Sequence, residues 1–366
     1  MTDRARTRAV ALDWGTTRCR AYLLGDEGAV LAERQSASGI MAVSARAVAE
    51  GTPSAEVFEQ VFDELCGEWL AAAPGIPVIA CGMVGSNRGW AEAAYRTIPA
   101  DLSSPGPALT QVRTSAGVVV SIVPGLISET ALPDVMRGEE SQLLGALART
   151  HGAPGGTHDA PARTHDAPGG RDADERIVIL PGTHSKWARV VGTTVTAFTT
   201  CMTGELYALL MNDSTLALLA VRADVPDWEA FERGVEIATS ATGYGGILNT
   251  AFSARTMVLT GVLAPEQVGD YVSGLLIGHE LAGVGASWLA GYPNDVLLCG
   301  SAQLNDRYRR ALELQGVTVT LAAPRPAAAG MWHVAVAAGL IREPAVVGGA
   351  ERAAPGPEGS GRDGSI

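Results

Sequence analysis

The sequence is poor in lysine, in paired cysteines and in long uncharged apolar runs. Only one of its 27 basic residues is a lysine, and a formal net charge of −12 argues against nucleic acid or an anionic membrane surface as a partner. The five cysteines stand singly, which gives no zinc or disulfide pattern and predicts a cytoplasmic protein. The most apolar stretch, residues 272–292, contains His279 and Glu280, so we expect a buried helix there rather than a membrane span.

The composition is that of a folded protein with room for two cores. Apolar residues make up 47% and charged residues 18% of the 366 positions, and a chain of this length exceeds one typical core. Residues 150–175 differ because they repeat THDAP and are rich in glycine, proline, alanine and aspartate. We predict a solvated insertion there, with no assigned role, and a disordered tail at residues 348–366.

Residues 10–24, VALDWGTTRCRAYLL, predict a β-hairpin around a glycine turn. Gly15 allows the backbone to approach a ligand closely, and Thr16 and Thr17 can donate N–H and O–H groups to phosphate oxygens. Asp13 lies at the end of the first strand and suits a hydrated Mg²⁺, which prefers one or two carboxylates together with nucleotide phosphates. For this motif alone, an ordinary hairpin without a ligand is the alternative.

The same pattern recurs at residues 177–191, where Gly182, Thr183 and His184 separate two apolar strands. A duplicated hairpin indicates two domains of the same type that face one cleft. The intervening sequence also predicts a loop at residues 38–42. After the second hairpin, we expect a helix from Thr203 through residue 219.

An acidic helix start and a third glycine turn complete an ordered set. Glu139 and Glu140 follow Gly138, and Gly300 and Ser301 stand between a late strand and a helix. Together with the two hairpins, these pieces resemble the actin-like ATPase and sugar-kinase superfamily. The resemblance implies an α/β fold of two ribonuclease-H-like lobes, with ATP in the cleft between them.

Longer motifs resemble one family within that superfamily, the 2-dehydro-3-deoxygalactonokinases. The similarity extends over almost the whole chain and is carried by the strings LDWGTT, GMVGSNRGW, DVMRGEESQLLGA, LPGTHSKW, TGELYALL and LCGSAQLNDRY. It implies Mg²⁺-dependent transfer of the ATP γ-phosphoryl group to the terminal hydroxyl of 2-dehydro-3-deoxy-D-galactonate, a small-molecule sugar acid of galactonate catabolism. A kinase for a neutral or amino sugar, and a non-enzymatic ATP-gated module, are the alternatives.

The resemblance also implies a division of the chain. Residues 1–133 would form an N-terminal lobe with the sugar-acid site, and residues 134–325 a C-terminal lobe with the nucleotide site. A closing helix at residues 326–347 would return to the first lobe. Neither the galacto or gluco configuration of the acid nor a possible homo-oligomer follows from the sequence.

Three carboxylates compete for the role of the catalytic base. Glycerol-kinase-like relatives carry an aspartate after a glycine at a helix start, ahead of the second hairpin. Glu139 occupies that place with a longer side chain, which leaves Glu140 and Asp134 as competitors. Carboxylates that only stabilise a helix N-terminus are the structural alternative. By the same resemblance, nucleotide binding falls to Gly15, Thr16, Thr17, Gly182, Thr183, His184, Gly300 and Ser301, with Asp13 as the metal ligand.

The loop at residues 82–90 is the candidate sugar-acid site. Asn87 and Arg88 lie where glycerol-kinase-like relatives bind the sugar, and an arginine can hold a carboxylate with two hydrogen bonds. A surface salt bridge is the alternative for Arg88. Further candidates for substrate contact are Gly39, Met83, Ser86, Trp90 and Ser185.

Lys186, the single lysine, is a further catalytic candidate. In a chain that uses arginine at every other basic position, its retention suggests a site where a compact ammonium is needed and a planar guanidinium does not fit. Chance retention on a strand surface is the alternative.

Overall fold

A computed structural model describes residues 6–104, 109–151, 175–290 and 295–342. Apart from its two ends, the predicted insertion at residues 150–175 lies outside these ranges, as does the predicted tail at residues 348–366. Two six-stranded sheets and one three-stranded sheet carry helices on their faces, which confirms the predicted α/β class. No helix within the described residues is long and apolar enough to span a bilayer. All five cysteines are free thiols.

The first half of the chain builds a sheet with strand order β3-β2-β1-β4-β8-β7. Strand β1 pairs antiparallel with β2, as the hairpin pattern predicts, and parallel with β4. The elements of this half are β1 (Ala9–Trp14), β2 (Cys19–Leu24), β3 (Val30–Ser36), α1 (Ile40–Glu50), α2 (Ser54–Ala72), β4 (Val78–Cys81), β5 (Tyr95–Thr97), β6 (Ala100–Asp101), β7 (Thr110–Arg113), β8 (Val119–Ile122), β9 (Gly125–Ser128) and β10 (Asp134–Met136).

The second half follows the same plan, with strand order β15-β14-β11-β12-β13-β6. Strand β11 pairs antiparallel with β12 and parallel with β14, so the second hairpin occupies the same place in its sheet as the first. The elements of this half are α3 (Glu139–His151), β11 (Glu175–Leu180), β12 (Ser185–Val191), β13 (Thr194–Cys201), α4 (Thr203–Asp213), α5 (Trp228–Thr239), α6 (Gly246–Thr250), α7 (Ser253–Leu259), α8 (Val268–Glu280), α9 (Ala286–Trp288), β14 (Asp295–Leu298), α10 (Ala302–Leu314), β15 (Thr318–Leu321) and α11 (Pro326–Ala337).

Helices α3 and α11 pack against each other with close backbone contact. A Cβ atom at Gly145 would lie 1.9 Å from the Pro326 carbonyl oxygen, and one at Gly330 would lie 1.8 Å from the Ser141 carbonyl oxygen. The surrounding core takes buried side chains from both large sheets and from both helices. The acidic start of α3 is therefore held at the junction of the two sheets. The lobe boundary at residue 133 remains a proposal, since the short β6 of the first half pairs with β13 in the second sheet.

Three helix boundaries differ from the sequence-based expectation. The closing helix, expected at residues 326–347, ends at Ala337, because Gly339 with φ +70° follows and leaves the helical conformation. Helix α1 begins at Ile40, inside the predicted loop at residues 38–42, because its first N–H groups donate to backbone carbonyls of the β1–β2 turn. Helix α4 ends at Asp213 rather than at residue 219. There the Ser214 hydroxyl donates to the Leu210 carbonyl and accepts the Leu216 N–H, and this local bonding competes with continuation of the helix.

Candidate active site

The first glycine turn, between β1 and β2, rests directly on Gly39. A Cβ atom at Gly39 would lie 2.3 Å from the Thr17 carbonyl carbon and 2.4 Å from the Thr16 carbonyl oxygen, so no side chain fits there. Thr16 and Thr17 are exposed, whereas Gly15 is half-buried. Gly39, a predicted substrate contact, thus lies under the turn as its backbone support.

The second glycine turn, between β11 and β12, has the same support. Gly204, in the first turn of α4, would carry a Cβ atom 2.4 Å from the Gly182 carbonyl oxygen. The Glu205 N–H donates to the Thr183 carbonyl oxygen at 2.9 Å. The outer side of Gly182 is open, since its own Cβ would meet nothing closer than the His184 carbonyl oxygen at 4.0 Å. Both turns therefore offer donors toward open space.

Glycines at the ends of two strands bring the start of α3 close to Asp13. Gly82, after β4, has φ +92°, and its Cβ atom would lie 2.7 Å from the Trp14 carbonyl oxygen. Gly138, before α3, has φ +108°, and its Cβ atom would lie 3.0 Å from the Gly82 Cα atom. Because only glycine tolerates both the positive φ and this spacing, the backbone can place Glu139 beside the end of β1.

Asp13 is a nearly buried carboxylate with one cationic partner. Its side chain is 12% exposed, and Arg20 Nη1 lies 3.3 Å from its Oδ2 atom. Burial raises the pKa of Asp13; Arg20 opposes that shift and the charge of Glu139 adds to it. The described residues contain no cluster of three or more potential metal ligands. Because Mg²⁺ usually takes only one or two carboxylates besides phosphates and water, Asp13 still fits the role of its protein ligand.

The three candidate bases differ in what they contact. Glu139 is 24% exposed, its Oε1 atom lies 3.6 Å from Lys186 Nζ, and its Oε2 atom accepts the Arg137 N–H at 3.0 Å. Glu140 points inward, where it accepts the Gly138 N–H at 2.6 Å. Burial, with the charge of Glu139 adding to it, raises the pKa of Glu140 to about 8. Glu139 is therefore the better placed of this adjacent pair for exchanging protons with a bound substrate.

Asp134, the third candidate, joins strands. Its Oδ1 atom accepts the Thr200 hydroxyl at 2.8 Å and the Val135 N–H at 2.7 Å, which ties β10 to β13. Lys186, on β12, lies opposite Thr200 of β13, and its side chain is 5% exposed. Its ammonium links the second sheet to the start of α3 through Glu139. The geometry thus brings Asp13, Glu139 and Lys186 together, whereas Asp134 connects strands β10 and β13.

A cavity of about 160 Å³ opens beside the second turn. Gly182 of the turn lines it together with residues from α4, α8 and α10, among them Gly204, Tyr207, Ser273, Gln303 and Arg307. Ser301 caps α10 by accepting the Leu304 N–H at 3.4 Å. At the outer end of the second turn, His184 Nε2 lies 2.5 Å from Glu205 Oε2, and both side chains are exposed. The turn and the start of α10 thus border the same cavity, through Gly182 on one side and Gln303 and Leu304 on the other.

The predicted sugar-acid residues divide between the surface and the interior. Asn87 and Arg88 are exposed, and Met83 is half-buried. Ser86 is buried and its Oγ atom accepts the Arg88 N–H at 3.3 Å, which shapes the loop. Trp90 packs into an aromatic cluster of the first lobe, with ring centroids 5.2–6.1 Å apart between neighbours, formed with Trp14, Phe58 and Phe62.

Ser185 lies inside the second lobe. Its side chain is fully buried and its hydroxyl donates to Glu280 Oε1 at 2.8 Å, so the structure places it away from the substrate contact expected of it. No sequence pattern indicates a site role for Glu280, Arg20 or Glu205. For Glu280, the available signal is a carboxylate within the most apolar stretch of the chain.

Comparison with known proteins places the chain in a family. The family model described as 2-keto-3-deoxy-galactonokinase matches residues 13–334. The chain is similar to the 2-dehydro-3-deoxygalactonokinase of Escherichia coli, with 34% identity over 322 residues, which cover 86% of this chain and 93% of that protein. It is also similar, at 36% identity, to a Rhizobium meliloti protein whose name assigns it provisionally to the same enzyme; the match covers 84% of this chain and 90% of that protein.

A solved structure supports the same conclusion. A Sinorhizobium meliloti protein, also provisionally described as a 2-dehydro-3-deoxygalactonokinase, superposes with a TM-score of 0.72 at 34% identity. The superposition covers 90% of this chain and 99% of that chain. The family recognised from the motifs is confirmed: the chain belongs to the 2-keto-3-deoxy-galactonokinase family.

Proposed function

We propose that the chain transfers the γ-phosphoryl group of ATP to the terminal hydroxyl of 2-dehydro-3-deoxy-D-galactonate. The observation that carries the proposal is the meeting of Asp13, Glu139 and Lys186 between two glycine turns of matching construction. Phosphoryl transfer requires positioned phosphates, neutralised charge and a group that accepts the hydroxyl proton. Family membership supports the choice of a sugar acid over a neutral sugar.

The two turns would bind the phosphates. Their backbone N–H groups and the hydroxyls of Thr16, Thr17 and Thr183 supply donors, and the base and ribose would enter the cavity beside Gly182. Asp13 would hold Mg²⁺, which neutralises phosphate charge when bound. With its 24% exposed carboxylate, Glu139 would accept the proton of the attacking hydroxyl.

Lys186 and Arg88 would neutralise negative charge on the transferred phosphoryl group and on the carboxylate of the sugar acid. Lys186 lies 3.6 Å from Glu139, close enough to contact a phosphoryl group or a carboxylate positioned for reaction there. Arg88 is exposed on the loop at residues 82–90, where its guanidinium would bind the carboxylate of the acid with two hydrogen bonds. Cytoplasmic location and a possible homo-oligomer remain predictions.

An ADP-release assay with the purified chain, Mg²⁺ and ATP tests the function. We expect ADP release only with an acceptor, fastest with 2-dehydro-3-deoxy-D-galactonate, slower with its gluco epimer and absent with glucose. The product should be heavier than the acid by one phosphoryl group. ATP hydrolysis that is indifferent to every acceptor would contradict the proposal and favour an ATP-gated module.

A further inference from the structure

Glu280 is a buried carboxylate at the end of α8, in the lobe that carries the second turn. Its residue is 6% exposed. It accepts hydrogen bonds from Ser185 Oγ at 2.8 Å, Trp187 Nε1 at 2.6 Å and Tyr308 OH at 2.7 Å, and a fourth from the Thr203 hydroxyl. One side chain therefore joins four others that are distant from it in sequence.

The four donors belong to segments that enclose the second turn. Ser185 and Trp187 lie at the start of β12, directly after the turn. Thr203 begins α4, whose next residue, Gly204, rests on the turn. Tyr308 lies on α10, and both Thr203 and Tyr308 line the cavity beside Gly182. Glu280 thus holds together the walls of the candidate nucleotide site.

Only a carboxylate satisfies this arrangement. Its two oxygens can accept all four bonds, and hydrogen bonds to an ionised group are about twice as strong as those between neutral groups. A glutamine has a single acceptor oxygen and an NH₂ group that can only donate. Glu280→Gln would therefore leave buried hydroxyl or indole donors without acceptors, which costs more than the lost bonds themselves.

The strand register connects Glu280 to Lys186. Successive side chains of a strand point to opposite faces, so Ser185 and Trp187 face Glu280, while Lys186 between them faces Glu139. A shift of the start of β12 would move both the turn and the ammonium. A π-helical turn, Leu281–Gly285, begins directly after Glu280, and such irregular turns are frequent at functional sites.

We propose that Glu280 is a positioning residue that holds the second turn, the start of α4 and Lys186 in the geometry that binds and orients the nucleotide. This inference rests on the kinase function proposed above. Glu280 acts through Ser185 and Thr203 and does not itself touch the substrates.

The test compares Glu280→Gln with Val235→Ala, a cavity-forming change in the buried core of the same lobe that removes none of the four donors. Titration with a non-hydrolysable ATP analogue and Mg²⁺, without acceptor, measures nucleotide affinity directly. We expect both variants to have a lower Tm. Only Glu280→Gln should raise the Kd of the analogue, by about tenfold, and lower kcat, with the KM of the sugar acid within about twofold of wild type.

Ser185→Ala and Tyr308→Phe each remove a single donor, so they test the proposal even if Glu280→Gln does not fold. Each should raise the analogue Kd by about threefold. If Glu280→Gln folds, either change should raise the Kd by a smaller factor in that background than in the wild type. Wild-type analogue affinity in all folded variants would overturn the proposal. A wild-type chain that binds the analogue but phosphorylates no sugar acid would contradict the proposed function and leave the Kd comparison valid.

Discussion

The two large sheets share one strand plan but carry different charges beside their turns. In the first, a glycine turn joins β1 to β2, with β4 parallel to β1; in the second, a turn joins β11 to β12, with β14 parallel to β11. The first turn has the carboxylate of Asp13 beside it, whereas the second has the ammonium of Lys186. The backbone thus offers phosphate donors twice, and the side chains differentiate the two halves.

The packing beneath the turns is also shared. Gly39 lies under the first turn and Gly204 under the second, each so close that a Cβ atom would approach turn backbone to within 2.4 Å. Two buried carboxylates of the second half nevertheless differ in their surroundings. Glu280 has four donors from neighbouring elements, while Glu140 is buried near the charge of Glu139. A fully hydrogen-bonded carboxylate therefore lies beneath the second turn, whereas an acidic cluster, Glu139 and Glu140, lies at the junction of the two sheets.

Removal of Glu139, the more exposed carboxylate of the acidic cluster, should have the largest effect. We expect Glu139→Gln to lower kcat by about two to four orders of magnitude, because that is the usual contribution of a general base. Binding of an ATP analogue should change little, since Glu139 lies on α3 and not on the turns. Single-turnover phosphorylation and analogue titration measure the two effects separately.

The matched controls are Glu140→Gln and Asp134→Asn. Glu140 faces the interior and Asp134 bonds Thr200, so both variants should keep kcat within about tenfold of wild type. A nearly active Glu139→Gln beside an inactive Glu140→Gln or Asp134→Asn would move the base to that residue.

Alanine under either turn should test whether the two supports are equivalent. The added methyl of Gly39→Ala or Gly204→Ala must displace turn backbone, and a shift of about 1 Å at a phosphate site can cost about a hundredfold in rate. We expect losses of about 10–100-fold in kcat/KM in both variants. Equal losses would support a shared phosphate role, and an effect at Gly204 alone would limit that role to the second turn.

Gly67→Ala is the control for the two alanine variants. Gly67 lies within α2, and its Cβ atom would meet nothing within 4 Å. Because alanine favours the helix over glycine, Gly67→Ala should raise the free energy of unfolding by up to about 1 kcal/mol and leave the kinetics unchanged.

Lys186→Arg asks whether the second turn needs an ammonium rather than any positive charge. The site is 5% exposed, and a planar guanidinium is larger than the ammonium it would replace. We expect a loss of at least about tenfold in kcat/KM, equivalent to about 1.4 kcal/mol. A rise in the KM of the sugar acid alone would indicate contact with its carboxylate, and a fall in kcat alone would indicate contact with the phosphoryl group. The control is Arg310→Lys, which exchanges the two basic residue types in an ion pair with Glu232 and should leave the kinetics unchanged.

Local sequence patterns predicted the parts of this site that are formed by residues close together in the sequence. Both hairpins, the acidic start of α3 and the family followed from short motifs, and the structure brings Asp13, Glu139 and Lys186 together. Strands β5 and β6, with three and two residues, are too short to show a periodic pattern and were not predicted.

Contacts between distant segments were outside the reach of those patterns. Ser185 bonds a residue 95 positions away, and only the alternation along β12 hints that Ser185 and Lys186 cannot face the same cleft. Trp90 follows a glycine-rich loop, but its ring is drawn into an aromatic cluster built by β1 and α2. The need for glycine at position 39 arises from a backbone contact with the first turn, which no local motif encodes.

The smallest and most specific effect concerns the pH dependence of stability. Burial and the charge of Glu139 raise the pKa of Glu140 from 4.5 to about 8 in the folded chain. Between these values the folded chain keeps a proton that the unfolded chain releases, so wild-type stability should fall as pH rises through this window. The slope is at most about 1.4 kcal/mol per pH unit, and it should vanish below about pH 4.5 and above about pH 8.

Glu140→Gln isolates this contribution because the amide oxygen can still accept the Gly138 N–H but does not ionise. Relative to wild type, the variant should therefore gain stability steadily from pH 5 to pH 8 in urea titrations. Glu280→Gln provides the contrast between the two buried carboxylates, since it removes acceptors from four donors and should be less stable than wild type throughout that range. A stability difference between Glu140→Gln and wild type that is constant with pH would show that Glu140 is ionised in the folded chain. The charge of Glu140 would then be balanced by its surroundings, as the hydrogen bonds balance Glu280.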